Sequence, residues 1–206
     1  MISSKNIIES LDLIIPNPKC ELNYNKDYEL LIATVLSAQS TDKMVNKVTK
    51  ILFDTYSLEE LSKLDLKTIQ EIIKPVGTYS KKSLYIKEIA SKLLNECNGI
   101  VPNDREFLEK LPGVGRKTTN VVLSNLFNEP AFAVDTHVSR VSKRLGISKE
   151  NDSVKIIEEK LMNFFPKNKW TRLHHQFVLF GRYKCKSIKP DCNSCPFVGK
   201  CQYTKK

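Results

Sequence analysis

Apolar side chains recur along this chain at spacings of three and four residues, which is the period of an amphipathic helix. Two clear runs are Met44, Val45, Val48, Ile51 and Leu52, and Ile86, Ile89, Ala90, Leu93 and Leu94. No pair of segments alternates in the way that neighbouring strands require, and no repeat has the length of a solenoid unit. The pattern predicts an all-α chain of about ten helices joined by short loops.

Residues that start and stop helices divide these apolar runs. Ser57 with Glu60, and Asn103 with Glu106, have the spacing of a capping box, in which the two side chains satisfy N–H groups of the first turn. Helix ends are predicted at prolines, glycines and one asparagine that follow apolar runs. These residues are Pro16, Pro18, Pro75, Gly77, Asn98, Gly99, Gly146, Pro166 and Gly181.

The composition is that of a basic globular protein. The 206 residues are 41% hydrophobic and 27% charged, and 33 Lys and Arg against 23 Asp and Glu give a formal charge of +10. Such a chain can bury a core, which excludes wholesale disorder. Its excess of positive charge favours a polyanionic partner such as nucleic acid.

The sequence gives no sign of a membrane span or a secretory signal. The longest nearly uncharged apolar stretch, Leu30 to Ala38, is much shorter than the ~20 residues of a membrane helix. The first ten residues carry Lys5 and Glu9 and lack an unbroken apolar region. We therefore expect a cytoplasmic protein, associated with the nucleoid if the source is prokaryotic, whose cysteines are reduced.

A glycine-containing turn joins two apolar-periodic helices in the segment LPGVGRKTTN. Gly115 stands where a helix normally begins with Ser, Thr or Asp, so the first N–H groups of that helix have no side-chain cap. An uncapped helix start that glycine lets a ligand approach closely is suited to a phosphate group. The alternative is a tight turn between core helices, but this context on a basic chain favours nucleic-acid phosphate.

Arg116 and Lys117 are predicted to occupy the first turn of that helix. The helix dipole is positive there and makes a cation unfavourable by about 0.3–1 kcal/mol, so stability does not explain their position. An amine whose charged form is disfavoured can act as a nucleophile. A lysine at this position can equally be a plain phosphate contact, and local physics alone leaves both interpretations open.

A second segment, FAVDTHVSRVSKRLG, places Asp135 just before a predicted helix. Asp135 is a good N-cap, and this role is compatible with a carboxylate presented at a cleft beside an amine. Arg140 and Arg144 lie four residues apart, which by default predicts a solvated basic face. His137 has no partner at ligand spacing, and His174 and His175 are adjacent, so we expect their side chains to diverge and assign no catalytic histidine.

Four cysteines, Cys185, Cys192, Cys195 and Cys201, lie within seventeen residues and contain only one C-x2-C pair. Structural zinc usually takes two such pairs, or cysteine with histidine. Four thiolates on a short irregular loop fit a 4Fe-4S cluster better, although zinc remains the alternative. The neighbouring lysines can offset the negative charge of a cluster and reach a DNA backbone.

In this order, the segments LSAQSTD, LPGVGRKTTNVV, AVDTHVSRVSKRLG and GRYKC and the cysteine-rich tail resemble the endonuclease III family. Its members are helix-hairpin-helix DNA glycosylases with AP lyase activity, and the resemblance covers nearly the whole chain. It implies a six-helix barrel domain at residues 20–130 that contains the hairpin. It also implies a helical 4Fe-4S cluster domain made of residues 1–19 and 131–206.

The resemblance implies a base excision repair enzyme that removes oxidised pyrimidines from damaged double-stranded DNA, and we expect a monomer. Lys117 matches the catalytic lysine, which forms a Schiff base so that the strand is cut by β-elimination. Asp135 matches the catalytic aspartate, and the four cysteines match the 4Fe-4S ligands. The expected DNA contacts are Gln39, Thr78, Gly113, Val114, Gly115, Arg116, His137, Arg140, Lys186 and Lys189.

Two of these contacts are expected to probe the base stack. Gln39 lies in the polar corner LSAQSTD, which Ser40 or Thr41 is predicted to close by capping the next helix. It matches the family residue that fills the gap left by a flipped nucleotide. Thr78 stands where relatives often carry a bulky apolar wedge, and a small polar residue inserts less well between bases.

Two other functions account for part of the sequence. An adenine-mismatch glycosylase shares the fold and the cluster, but such relatives usually lack a lysine at the position of Lys117 and carry a further C-terminal recognition domain. A non-catalytic DNA-binding module explains the charge, the glycines and the cysteines. It leaves Arg116 and Lys117 together with Asp135 as a coincidence.

Overall fold

The computed structural model describes residues 2–204, and the regular structure in this part of the chain is entirely helical. Eleven α-helices are present over these residues. They are α1 (Ser4–Ile14), α2 (Asp27–Leu36), α3 (Asp42–Thr55), α4 (Leu58–Lys63), α5 (Leu66–Ile73), α6 (Tyr79–Cys97), α7 (Arg105–Glu109), α8 (Arg116–Leu126), α9 (Thr136–Arg144), α10 (Val154–Phe164) and α11 (Trp170–Leu179). The all-α prediction is confirmed, and none of these helices is both long and apolar enough to cross a bilayer.

Most predicted helix boundaries are confirmed, and two are wrong. Ser57 and Glu60 form the predicted capping box at α4. Helix α7 is capped by Asp104 and not by Asn103, because the Asp104 carboxylate accepts hydrogen bonds from two backbone N–H groups of the first turn. Gly181 does not stop a helix, since a π-helical turn at Phe180–Lys184 directly continues α11.

Chain contacts divide the protein into two compact units, residues 20–127 and residues 1–19 with 128–206. In the unit 20–127, helix α2 is the central element, and nine of its ten residues, Tyr28 to Leu36, are buried. Helices α3, α6 and α8 pack against α2. This arrangement explains why the α2 sequence is apolar on every side, whereas surface helices show a single apolar stripe.

The unit made of residues 1–19 and 128–206 has its own core, built around three phenylalanines. Phe132 lies in a buried segment before α9, and its ring contacts the rings of Phe165 and Phe177 at centroid distances of 6.3 and 5.6 Å. Asp12 of α1 accepts a hydrogen bond of 2.6 Å from Arg172 of α11. The N-terminal helix is therefore part of this unit, although most of the unit follows residue 127.

Candidate active site and nucleic-acid interface

A tight hairpin at residues 110–115 joins α7 to α8, and one of its positions, Gly113, must be glycine. Gly113 has a φ of +75°, and a Cβ atom there would lie 2.6 Å from Cδ2 of Tyr85. Val114 is buried, and its N–H donates to the carbonyl oxygen of Leu111 at 3.1 Å. The Val114 side chain therefore holds the turn against the core of the unit, while the glycines on either side of it are exposed.

The N-terminus of α8 is open to solvent. Gly115 is the N-cap residue with an extended backbone, no side chain caps the helix, and nothing lies within 4 Å of the position of a Cβ atom. Arg116 and Lys117 fill the first two helical positions, as predicted, and both are exposed. An uncapped, positively polarised helix end flanked by two cations is an anion site by its electrostatics.

A hydrogen bond between α7 and α8, which no sequence motif indicated, supports helix α8 on its buried side. Asn120 is buried, and its side-chain oxygen accepts a hydrogen bond of 2.9 Å from Arg105 of α7. Arg105 also pairs with Glu109 at 3.1 Å within α7. The Arg105 guanidinium thus links α7 to α8 and fixes the position of α8 relative to α7.

Asp135 is the N-cap of α9, as predicted. Its Oδ1 accepts a hydrogen bond of 2.7 Å from the backbone N–H of Val138, and the residue is half-buried. The preceding residues Ala131 to Val134 are all buried and fix the entry of the chain into the helix. One carboxylate oxygen caps the helix, which leaves the second oxygen available for another role.

The prediction of a solvated arginine face on α9 is wrong for the guanidinium groups. Arg140 donates to the carbonyl oxygens of Gly181 and Cys185 at 2.8 and 3.1 Å. Its third contact is 3.1 Å to Nδ1 of His137, and burial lowers the pKa of His137, so a neutral ring can accept this hydrogen bond. These contacts fix both residues against the segment that carries the cysteines.

Arg144, one helical turn after Arg140, also binds the segment that carries the cysteines. Its guanidinium donates to the carbonyl oxygens of Lys186 and Ser187 at 2.7 and 3.2 Å and to Sγ of Cys185 at 3.3 Å. It also lies over the ring of Tyr203, 4.1 Å from the centroid. Helix α9 therefore organises the start of the cysteine-rich segment through two arginines, which spacing along the sequence does not reveal.

The four clustered cysteines form no disulfide, and three of them lie near the fourth, Cys195. Burial raises the pKa of the Cys195 thiol, and the nearby sulfurs of Cys185, Cys201 and Cys192 raise it further. Within residues 2–204, no group of three or more His, Cys, Asp and Glu side chains is arranged to hold a metal ion. The donor set nevertheless fits a 4Fe-4S cluster chemically, since one short segment supplies four thiols and three of them lie within electrostatic range of Cys195.

Lys184, Lys186 and Lys189 differ in their surroundings within this segment. Lys184 pairs with Asp191 at 2.8 Å, and hydrogen bonds from Lys184 and Ser194 lower the pKa of Asp191 to about 2. Lys186 and Lys189 are exposed, and Lys189 has a φ of +50°. Lys184 therefore stabilises the loop, while the other two ammonium groups face solvent.

The corner that carries Gln39 and the turn that carries Thr78 have an unusual backbone. Gln39 has a φ of +56° and Thr78 a φ of +44°, in the left-handed region, and both are exposed. A β-branched residue in this region is a genuine outlier, and each such position costs about 1–3 kcal/mol. Thr41 caps α3, as predicted, but no motif in the sequence indicated the strained conformations.

The expectation that the side chains of His174 and His175 diverge is also wrong. Their ring centroids are 4.9 Å apart, and both residues are buried. His174 Nδ1 lies 2.8 Å from the carbonyl oxygen of Ala133, and burial lowers the pKa of His175 to about 4. Both residues are therefore buried within the fold.

Comparison with known proteins identifies the family to which this chain is similar. The chain matches the HhH-GPD superfamily of base excision DNA repair proteins over residues 32–167. Endonuclease III of Bacillus subtilis is 45% identical over 100% of this chain and 96% of the relative. Two solved structures at 45% identity, a trapped endonuclease III–DNA covalent intermediate and a non-covalent endonuclease III–DNA complex, give TM-scores of 0.93 and 0.94 and cover 100% of this chain and 98% of theirs.

The helical fold and the glycine hairpin define a helix-hairpin-helix DNA glycosylase of base excision repair. This class contains several families with different chemistry, and a thymine-DNA glycosylase structure also matches, at 25% identity with a TM-score of 0.86 over 98% of this chain and 96% of its own. The chain belongs to the endonuclease III family. The resemblance seen in the sequence segments is thereby confirmed over the full length.

Proposed function

We propose that this protein removes oxidised pyrimidines from duplex DNA and cuts the strand by β-elimination, with Lys117 as the nucleophile. The observation that carries the proposal is an exposed amine in the first turn of the uncapped helix α8, directly after the hairpin glycines. A phosphate held at the helix end brings a deoxyribose close to this amine. The trapped covalent complex of endonuclease III, 45% identical to this chain, supports the same chemistry.

In the proposed reaction, the neutral amine of Lys117 attacks C1′ of the deoxyribose while the bond from C1′ to the base breaks and the base leaves with a proton. The C1′–O4′ bond then breaks, O4′ takes a proton from water, and the open sugar is held as a protonated Schiff base between Lys117 and C1′. This iminium acidifies the C2′ proton, and loss of that proton expels the 3′ phosphate. The strand is cut without hydrolysis of the phosphodiester, and water then releases the lysine.

Asp135 is proposed to stabilise the positive charge that develops on the sugar as the base leaves. A preorganised charge in a site that excludes water is worth far more than the same charge in solution. The hydrogen bond to Val138 fixes the orientation of the carboxylate at no further cost in entropy. Capping and catalysis are therefore compatible in this one side chain.

DNA binding is proposed to follow from the basic surface and the two turns that carry left-handed residues. Gly113, Gly115 and Arg116 are proposed to hold phosphates at the hairpin, with Lys186 and Lys189 contacting the backbone elsewhere. Gln39 and Thr78 are proposed to enter the base stack, so that a damaged nucleotide is flipped at a cost of a few kcal/mol. Val114, His137 and Arg140 are bonded to their own unit and are proposed to act by shaping the interface. Since the partner is DNA, we propose that the protein acts in the cytoplasm.

Cys185, Cys192, Cys195 and Cys201 are proposed to hold a 4Fe-4S cluster. When bound, the cluster supplies a structural crosslink, and the reaction above needs no redox step from it. Arg140 and Arg144 fix the start of this segment through their carbonyl contacts. The functional domains are proposed to be residues 20–130 and residues 1–19 with 131–206, as the resemblance implies.

The two hairpin glycines give a matched test of phosphate binding. We expect Gly115→Ala to weaken DNA binding about 10-fold or more, the value of one charge-assisted hydrogen bond, because a Cβ atom obstructs the phosphate. We expect a stability loss of less than about 1 kcal/mol, since Gly115 has an extended backbone and no neighbour within 4 Å. Fluorescence anisotropy and thermal melting measure the two effects.

Gly113→Ala is the comparison variant for this experiment. It is expected to lose about 1–3 kcal/mol of stability, because its φ of +75° and the Tyr85 ring both oppose a side chain. If Gly115→Ala bound DNA as tightly as the wild type, the phosphate site at this helix end would be refuted. Binding should also weaken with salt, with a slope of about 0.9 per phosphate neutralised.

The cluster assignment predicts a brown protein with about four iron atoms and four sulfides per chain. Cys192→Ser should lose the colour and the iron, because one of four ligands is removed. Cys20→Ser should keep both, because Cys20 packs against the core of the unit 20–127. Elemental analysis of the purified proteins decides the question, and a colourless wild type that contains one zinc would contradict the proposal.

The proposed function is tested by incubating the protein with duplex DNA that contains an abasic site and adding borohydride. We expect a covalent protein–DNA adduct, because borohydride reduces the Schiff base. Binding without an adduct or a nick would favour the non-catalytic module. Removal of adenine from a mispair without an adduct would favour a mismatch glycosylase.

A further inference from the structure

Lys82 of α6 is a buried lysine that the proposed reaction does not use. Its side chain is 3% exposed within the unit 20–127. Lysine is almost never this buried unless its charge is compensated. Here Nζ donates to the carbonyl oxygens of Leu36, Ala38 and Val76 at 3.0, 2.8 and 2.8 Å. All three ammonium hydrogens are thus used, and each acceptor is a backbone carbonyl.

The three acceptors belong to two different turns. Leu36 is the last residue of α2, where carbonyl groups lack helical partners and the dipole favours a cation. Ala38 directly precedes Gln39, and Val76 lies two residues before Thr78. One ammonium group therefore links the corner that carries Gln39 to the turn that carries Thr78, although the two are 39 positions apart (78 − 39) in the sequence.

Both turns need external support. Gln39 and Thr78 are in the left-handed region, and Gly77 between Val76 and Thr78 also has a positive φ, of +64°. Such conformations persist only where the surrounding structure determines them. Burial lowers the pKa of Lys82, so the surroundings of Nζ disfavour its charged form, and the three carbonyl oxygens offset this effect. A leucine or methionine would fill similar space but would leave three carbonyl oxygens without this donor, so the ammonium group contributes hydrogen bonds to both turns that packing alone cannot supply.

We infer that Lys82 is a positioning residue that fixes the two turns relative to each other. Gln39 and Thr78 then contact the duplex together, in one fixed arrangement. This inference rests on the proposed function, because both residues are proposed there to enter the base stack. Lys82 itself touches no substrate. It acts only through the two turns.

The inference predicts that loss of the Lys82 contacts affects two substrates of the protein differently. A damaged base inside a duplex must be flipped, which requires both probing residues in place. An abasic sugar in single-stranded DNA requires no flipping, so its cleavage by Lys117 needs neither probing residue. Loss of the Lys82 contacts should therefore slow the first reaction and spare the second.

The test compares Lys82→Met with Lys87→Met on these two substrates. Lys87 lies on the same helix, is half-buried and donates to one backbone carbonyl, that of Leu64 at 2.9 Å, away from both turns. We expect Lys82→Met to slow single-turnover excision from duplex DNA by about 10- to 100-fold, while cleavage of single-stranded abasic DNA changes by less than about threefold. Lys87→Met should leave both rates near those of the wild type.

Two further measurements support this comparison. If Lys82→Met folds, the fluorescence of a 2-aminopurine next to the lesion should show less flipping than with the wild type, and equal flipping would contradict the inference. If Lys82→Met folds poorly, a second set of variants keeps the test decisive. Independently, Gln39→Ala and Thr78→Ala are combined in the presence of Lys82. If one ammonium group couples the turns, the two effects on duplex excision are non-additive by at least about threefold. Additive effects would overturn the inference.

The outcomes also separate this inference from the proposed function. If the wild type cuts neither substrate, the proposed function fails. If the wild type cuts both, and Lys82→Met either matches Lys87→Met or slows both reactions equally, the inference is wrong and the proposed function stands.

Discussion

Lys117→Ala is expected to lose covalent trapping and strand cleavage by at least about 10³-fold, because no other side chain replaces a removed nucleophile. DNA binding should fall by less than about tenfold, since one exposed ammonium contact to a phosphate contributes little compared with the whole interface. The side chain is exposed at the start of α8, so the fold does not depend on it. Borohydride trapping and anisotropy on the same abasic duplex measure the two effects.

Two further variants separate chemistry from charge. Lys117→Arg keeps a cation at the helix end but cannot form the Schiff base, so it should bind DNA and fail to trap. Lys110→Ala removes an exposed cation from the same hairpin and should bind less tightly yet still trap. An adduct formed by Lys117→Ala at the wild-type rate would contradict the proposed nucleophile.

Asp135→Asn is expected to slow base excision by about 10²–10³-fold, which is the usual effect of removing one preorganised electrostatic group. Stability should change by less than about 0.5 kcal/mol, because asparagine caps a helix as well as aspartate. The Val138 N–H keeps its acceptor in this variant. Single-turnover excision and thermal melting, measured together, separate the lost charge from the cap.

Asp65→Asn is the matched control for this prediction. Asp65 caps α5 by accepting from the Thr68 N–H at 3.0 Å, also accepts from the Thr68 hydroxyl, and has no proposed role with DNA. Asp65→Asn should therefore keep the excision rate, and thermal melting shows what the change costs in stability. Asp135→Ala should lose about 0.5–2 kcal/mol in addition to the rate, because the cap is lost as well. If Asp135→Asn excised bases at the wild-type rate, the proposed catalytic role of Asp135 would be wrong and only its role as an N-cap would remain.

Local signals predicted the parts of the site that lie within one turn of the chain. The uncapped start of α8 followed from Gly115, and the cap of α9 followed from Asp135. Both are decided by the few residues around a helix end, where side-chain chemistry determines the structure. The all-α class followed from apolar periodicity, which reports which face of each helix is buried.

Contacts between distant segments were not visible in the sequence. Arg140 and Arg144 bind carbonyl groups more than 35 residues away, and nothing in their spacing distinguishes this from a solvated face. Lys82 is one lysine among many, and its burial depends on where α2 ends. Asn103 and Asp104 are adjacent, and both can cap a helix, so pattern alone chose the wrong one.

The most direct test of the central claim is to locate the covalent bond between protein and DNA. The borohydride-reduced adduct is digested with protease and nuclease, and the crosslinked peptide is sequenced by mass spectrometry. We predict a reduced deoxyribose remnant on the side chain of Lys117. A remnant on any other residue, or excision and cleavage without a remnant, would contradict the proposed mechanism.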